Sequence, residues 1–152
     1  MDEFDHKILK VLQKNAELAL REIGEAVGLS ANACWHRIQA LKKAGVVQGQ
    51  RLVLSREALN LDLVVFVMIR TRHHSKDWLQ KFRRQVELIE EVINFYRISG
   101  DYDYMLQIMT HDMQSFDRIY QRIIENVELD SVTSYFAMEE IISNRQLPLK
   151  FL

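Results

Sequence analysis

Residues 20–45 read LREIGEAVGLSANACWHRIQALKKAG, and the two glycines inside this stretch decide how its helices meet. Leu20, Ile23 and Val27 share one face of a helix that stops at Gly28, a residue free to take the left-handed conformation that ends helices. Ser30 follows as an N-cap, and another helix over 31–44 closes at Gly45. A tight turn between helices needs a residue that tolerates positive φ, and a close crossing needs a small one. Gly28 and Gly24 supply these, with Leu29 as the apolar plug after the turn. In the second of these helices Cys34, Ile38 and Leu41 recur at core spacing, while Asn32, His36, Gln39 and Lys43 form a polar stripe opposite. Upstream, Asp5 as N-cap with Ile8, Leu9 and Leu12 predicts a first helix over 5–15, ended by Asn15. The expectation is a three-helix unit with a helix-turn-helix at its centre.

Charge gives that unit a direction. Residues 1–56 carry nine Lys/Arg against six Asp/Glu, and 57–152 carry eleven against fifteen, so a net charge of −1 conceals opposite halves. From Ser30 to Arg56 there is no acidic residue, yet Arg37, Lys42, Lys43, Arg51 and Arg56 are present. Hydrogen-bonding side chains on the exposed stripe can read base edges in a major groove, while Arg37, Lys42 and Arg51 hold phosphates. The competing reading is a solvated helix face on a protein-binding module. Trp35, beside the stripe, is more often a packed aromatic than a stacking one. Cys34 and His36 diverge on the helix, so they are not a nucleophile and its base, and a core-facing Cys34 does not suit a redox sensor.

After the third helix, Val46–Leu54 has strand character broken at Gly49, and Ser55–Leu61 reads as a short helical turn. Residues 46–61 are therefore a linker between a first domain at 1–45 and a second at 62–152. In the second, strands are expected at Leu63–Arg70, Val92–Ile98, Tyr104–Thr110 and Val132–Ile141, with helices at 76–86 and 113–126. The order βαββαβ is that of a ferredoxin-like plait, which places both helices on one face of the sheet. Leu63–Ile69 is apolar on both faces, so the open face should bury against a second copy, at about 25 cal/mol per Å² of apolar surface. A dimer would also let paired helix-turn-helix units address two half-sites of duplex DNA.

The remaining bulk properties exclude several classes. In 152 residues, 48% hydrophobic and 27% charged, there is one cysteine and hence no internal disulfide framework. The longest apolar run is seven residues, Leu63–Ile69, against the roughly 20 that span a bilayer, and the N-terminus lacks a positively charged start. The expected localisation is cytoplasmic, with no membrane partner. Residues 99–106, SGDYDYML, set two carboxylates and two phenols around Gly100. That composition suits a metal loop, a catalytic acid pair, a small-molecule pocket or an ordinary turn. No nucleophile–base pair, phosphate-binding glycine loop or metal-ligand spacing accompanies it, so neither an enzyme nor a metal or other cofactor is expected. The adjacent His73 and His74 read as solvent-facing loop residues.

Five motifs in order, DHKIL, VGLSANACWHRI, GVVQG, SGDYDYML and SYFAMEEI, resemble those of the Lrp/AsnC (feast/famine) family of transcription regulators, from Asp5 to about Leu149. CWHRI, TRHHS and SYFAMEEI look closest to the branch that includes cysteine-responsive regulators. The resemblance implies an α+β chain, a winged helix-turn-helix followed by the ferredoxin-like plait, forming dimers that assemble to octamers or similar rings. It implies control of amino-acid metabolism or transport genes through an amino-acid effector bound between dimers. The recognition helix becomes Ser30–Leu41, and the candidate DNA contacts are Ser30, Ala31, Asn32, Trp35, His36, Arg37, Gln39, Lys42, Lys43 and Arg51. The effector positions fall on Ser99, Gly100, Asp101, Tyr102, Asp103, Met113, Tyr135, Phe136 and Ala137. In such a site a turn's N–H groups receive the carboxylate, an aspartate pairs with the ammonium, and apolar groups enclose the side chain. Two residues depart from the family's pattern. Ala19 replaces the usual Ser or Thr cap, at about 1 kcal/mol, and Ala31 replaces a common proline. The alternatives are a ligand-independent assembly or DNA-architectural protein, and an amino-acid-binding enzyme.

Overall fold

The computed structural model describes residues 1–150; Phe151 and Leu152, at the end of the expected second domain, lie outside the described residues. Two compact units result, Met1–Val53 together with the segment from Ile142 onward, and Leu54–Ile141. The expected bounds were 1–45, 46–61 and 62–152, so the chain's last segment returns to the unit that its first residues build.

In the first unit α1 spans Glu3–Lys14, α2 Leu20–Val27 and α3 Ala31–Lys43. The N-cap of α1 is Asp2, not Asp5: Asp2 accepts from the amides of Phe4 and Asp5, and Asp5 accepts from the Asp2 amide in return. This reciprocal box satisfies N–H groups that no helical partner reaches, and it moves the start by two residues. Ala19 offers α2 no side-chain cap, but Glu22 accepts from its amide at 2.7 Å. Gly28 has φ 77°, as the turn requires. Gly24 is needed for a different reason: a Cβ there would lie 2.4 Å from the carbonyl oxygen of Leu29. Ile8, Ile23, Val27, Cys34 and Ile38 form the buried core. Gln13 holds the returning segment like one rung of a ladder, donating to the Leu147 carbonyl at 3.3 Å and accepting from its amide at 2.7 Å.

No strand forms over 46–54, contrary to expectation. The segment has no regular secondary structure, and Leu52 and Val53 are each 80% exposed. A strand exists only with a ladder partner, and none is within reach in a single chain.

The second unit runs β1 Leu63–Arg70, α4 Lys76–Glu87, β2 Val92–Arg97, β3 Tyr104–Thr110, α5 Met113–Ile124 and β4 Ser131–Phe136. The sheet is antiparallel with order β2-β3-β1-β4, the expected plait. Alternation sends Val65, Val67, Ile69, Leu106 and Ile108 into a core shared with Phe82, Val86, Phe116, Ile119 and Ile123. β4 ends at Phe136 rather than Ile141. Its partner β1 begins at Leu63, and the pairing runs out there: the last bond is from the Ala137 amide to the Val64 carbonyl, at 2.9 Å. Phe66, Met68, Met105 and Met109 lie on the face away from the helices, half-buried, flanked by the half-exposed Tyr96 and Tyr135.

Candidate functional site

In the first unit Ser30 caps α3, its hydroxyl accepting from the Ala33 amide at 3.1 Å. Cys34, Ile38 and Leu41 are buried, so the helix is fixed in rotation and Ala31, Asn32, Trp35, His36, Gln39, Lys42 and Lys43 are exposed. Trp35 is 45% exposed, with its ring edge-on to His36 at 4.8 Å. The packed aromatic that residue frequencies favour is therefore a surface aromatic here. Arg51 is exposed on the irregular segment after α3. Burial pushes the Cys34 thiol pKa up, with the Arg37 charge opposing it, which leaves the thiol unreactive.

Arg37 departs from the phosphate-holding role that the charge pattern suggests. Its Nη1 donates to both Asp2 oxygens, at 2.9 and 2.8 Å, and to Asp5 Oδ1 at 2.8 Å. Its guanidinium also lies over the Phe4 ring, 5.5 Å from the centroid. Arg37 thus staples α3 to the start of α1. The Asp2 pKa is lowered, first by the Asp5 amide and then by Arg37. A depressed carboxylate pKa stabilises above the unfolded value and loses that stabilisation as pH falls through the folded one. Arg37→Ala should lower the melting temperature at neutral pH, by a margin that shrinks with added salt and again as acid protonates Asp2 below the ordinary carboxylate range. Melts of variant and wild type that stay parallel across that range would remove the staple from the account.

In the second unit Gly100, at φ 129°, turns the chain between β2 and β3. Asp103 is built into the backbone: its amide donates to the Ile69 carbonyl, its carbonyl accepts from the Ile98 amide, and its Oδ2 accepts from the Thr71 amide, all at 2.8 Å. Arg70 Nε donates to the Asp101 carbonyl at 2.6 Å and lies over the Tyr102 ring. The Tyr102 hydroxyl donates to Thr133 Oγ1 at 3.3 Å. Hydrogen bonds with Thr133 and Tyr135, helped by the Arg70 charge, pull the Tyr102 pKa down, while the Tyr135 pKa rises through the same Tyr102 contact. Arg70 and Thr133 were not picked out from the sequence. The signal available was a cation closing an otherwise apolar strand, and a hydroxyl two positions before Tyr135.

The candidate effector residues divide into two groups. Ser99–Asp103 lie at the sheet end where Ile69 pairs with Tyr104, and Tyr135, mid-strand opposite Phe66, reaches Tyr102 through its side chain. Met113, Phe136 and Ala137 lie toward the end where Leu63 pairs with Thr110; Phe136 packs edge-on against Phe116 at 5.4 Å, and Met113 is 56% exposed. The six residue steps of β3 separate these ends by about 20 Å. His73 lies in neither group: its Nε2 is 2.7 Å from Glu128 Oε2, and its ring stacks on Trp78.

Residues 64–147 match the Lrp/AsnC ligand binding domain, and residues 1–48 match the winged helix-turn-helix DNA-binding family. The chain belongs to the Lrp/AsnC family. It is a transcriptional regulator with a ligand-binding domain behind its DNA-binding unit. This Lrp/AsnC chain is 42% identical to the glutamate uptake regulatory protein of Zymomonas mobilis, over 98% of its own length and 91% of that protein's. Its fold overlays that of an AsnC family regulator from Agrobacterium tumefaciens at TM-score 0.96, with 41% identity, covering 100% of this chain and 99% of that one. The regulator NMB0573 of Neisseria meningitidis, solved as an L-Met complex, overlays at TM-score 0.93 with 33% identity, covering 99% and 98%. No helix among the described residues is long and apolar enough to cross a membrane.

Proposed function

We propose that this Lrp/AsnC regulator binds duplex DNA through α3 and takes an amino-acid effector at a site completed by a second copy of the chain. The observation that carries the reading is the separation of the 99–103 turn and Met113 to opposite ends of one sheet, with Tyr135 and Phe136 on its opposite faces. A ligand a few ångströms across touches both groups only if the 99–103 turn of one copy faces the Met113–Phe136 end of another. Effector binding then reports on assembly, and shifts DNA binding by its differential affinity for the assemblies. The dimer forms through the open sheet face and the exposed 52–54 segment, and dimers associate into an octamer or similar ring in the cytoplasm. One relative is named for glutamate uptake and another was solved with L-Met, which favours an amino-acid effector and control of amino-acid metabolism or transport genes. The relatives are named as regulators, and no enzymatic activity is proposed.

Complementation tests the shared site. Asp103→Asn retains an acceptor for the Thr71 amide but loses the charge that an ammonium needs, and Met113→Lys blocks the opposite end. Each variant should lose amino-acid binding by calorimetry over a panel of the common amino acids. Co-assembled, they should regain a fraction of it, because some turns then face intact ends. A mixture as inactive as its components would rule the shared site out.

DNA binding is tested by salt. Between 50 and 200 mM salt the affinity should fall by orders of magnitude, and Lys42→Ala or Lys43→Ala should each reduce the slope by about one. Asn32→Ala and Gln39→Ala should instead relax base preference, by about 1–3 kcal/mol per lost bidentate contact. A salt-independent affinity would overturn the reading of α3.

A further inference from the structure

A cavity of about 320 Å³ lies on the helix side of the second unit, where the turn before β1, the end of β3 and the outer face of α5 meet. The sequence reading assigned it nothing, and none of the candidate effector residues lines it. Its walls include Thr110, which is 2% exposed, with His111, Ser115, Arg118 and Arg122, and with Glu91 at the rim. Arg118 and Arg122 are one turn apart on α5, so both guanidiniums stand on the same face. Like charges at that spacing destabilise an unliganded helix.

The existing contacts neutralise these charges only in part. Arg122 donates to the Leu88 carbonyl at 2.8 Å, and its Nη1 is 4.0 Å from Glu91, the limit of an ion pair. Arg118 donates to the Ser115 hydroxyl at 2.9 Å, a neutral partner. His111 Nδ1 donates to the Asn60 carbonyl at 2.6 Å, which leaves Nε2 for another group. The nearby Asp112 is turned to the Ser115 amide at 2.7 Å; its pKa is lowered first by that bond, and also by the Arg118 and His111 charges. Two guanidinium forks, two hydroxyls and an imidazole nitrogen around a partly enclosed space form a receptor for oxygen anions.

We propose that this cavity binds a small carboxylate or phosphate anion between Arg118 and Arg122, as a second ligand site separate from the amino-acid cleft. Its volume falls at the lower end of the range for small-molecule pockets, which limits the ligand to a compact metabolite. The site touches the turn that leads into β1. Leu61 is part of its wall, and Asn60, at φ 56°, accepts from His111, so the turn before β1 closes one side of the cavity. An anion held there stiffens that turn.

The test uses the full chain at constant ionic strength, titrated separately with succinate, glutarate and inorganic phosphate, with chloride as the control. At least one of the three should bind saturably by calorimetry. Arg118→Gln should weaken it by about tenfold or more, the loss expected for a charge-assisted contact, while Asp103→Asn leaves it unchanged. Arg122→Gln should act like Arg118→Gln; because Arg122 also ties α5 to Leu88, the exposed Arg118 variant decides the matter if Arg122→Gln folds poorly. Hydrogen exchange at the Leu61 amide, which donates to the Arg56 carbonyl at 2.9 Å, should slow on binding. Saturation by carboxylates alone or by phosphate alone assigns the class. No saturation with any probe, or equal affinity in Arg118→Gln, overturns the site; binding without slowed exchange overturns its link to the turn.

Discussion

Phe66→Asp should yield a chain that sediments as a monomer at micromolar concentration while keeping the far-ultraviolet dichroism of the wild type. Phe66 is in the middle of β1, opposite Gln107 on one side and Tyr135 on the other, on the face that the helices leave open. Met68 lies two residues on, opposite Met105 and Thr133. Asp at position 66 of a free monomer stays hydrated at the sheet surface, so the fold survives. In a dimer packed through that face the same carboxylate is buried without a partner, at a cost of several kcal/mol, which weakens association about a thousandfold or more. The core on the other face, with Val65, Val67 and Phe82 all at 0% exposure, is untouched. An undiminished dimer would mean that the interface lies elsewhere on the chain.

The other large effect is in the DNA-binding unit. Gly24→Val should abolish DNA binding and remove the first unit's contribution to the calorimetric melt, leaving that of the second. The clash at Gly24 is with backbone, the Leu29 carbonyl, which cannot rotate away as a side chain would. α2 would have to move off α3, opening a core built on Ile23, Val27, Cys34 and Ile38, and overpacking on this scale costs roughly 3 kcal/mol or more. Gly28→Ala is the informative contrast. Nothing lies within 4 Å of a Cβ there, so only the positive φ resists it, at about 1 kcal/mol, and DNA binding should persist. Equal damage from the two substitutions would show that close helix approach is not what Gly24 provides.

These glycines also show what the sequence made legible. Local punctuation was sufficient for the helix-turn-helix, because each signal acts within a few residues of its cause. The plait was legible for the same reason: the short, largely apolar runs at Leu63–Arg70 and Tyr104–Thr110 suit buried strands, and helical faces separated them. The errors came where structure depends on something distant. Asp2 and Asp5 are both competent caps, and the choice rests on their mutual hydrogen bonds. The 46–54 segment has strand propensity, but propensity supplies no ladder partner. Residues 139–141 continue the expected strand but fall past the end of β1.

The candidate site divides along the same line. The exposed stripe on α3 followed from helical spacing alone. The capture of Arg37 by Asp2 and Asp5, more than thirty residues away, did not, because charge counting assigns a cation to whichever anion is imagined nearby. Position in the order of the chain likewise does not give distance along a sheet. Phe136 is one residue from Tyr135, yet it points to the opposite face and belongs with Met113.

The bond between Gln13 and Leu147 bears on how the chain is made. The three helices of the DNA-binding unit are complete by residue 43, and their core can close while the rest is still being synthesised. The Gln13 amide meets its partner only after residue 147 has been made, when all four strands of the second unit have already been synthesised. The DNA-binding unit can therefore begin to fold first, yet one of its contacts waits until the strands of the second unit have been made.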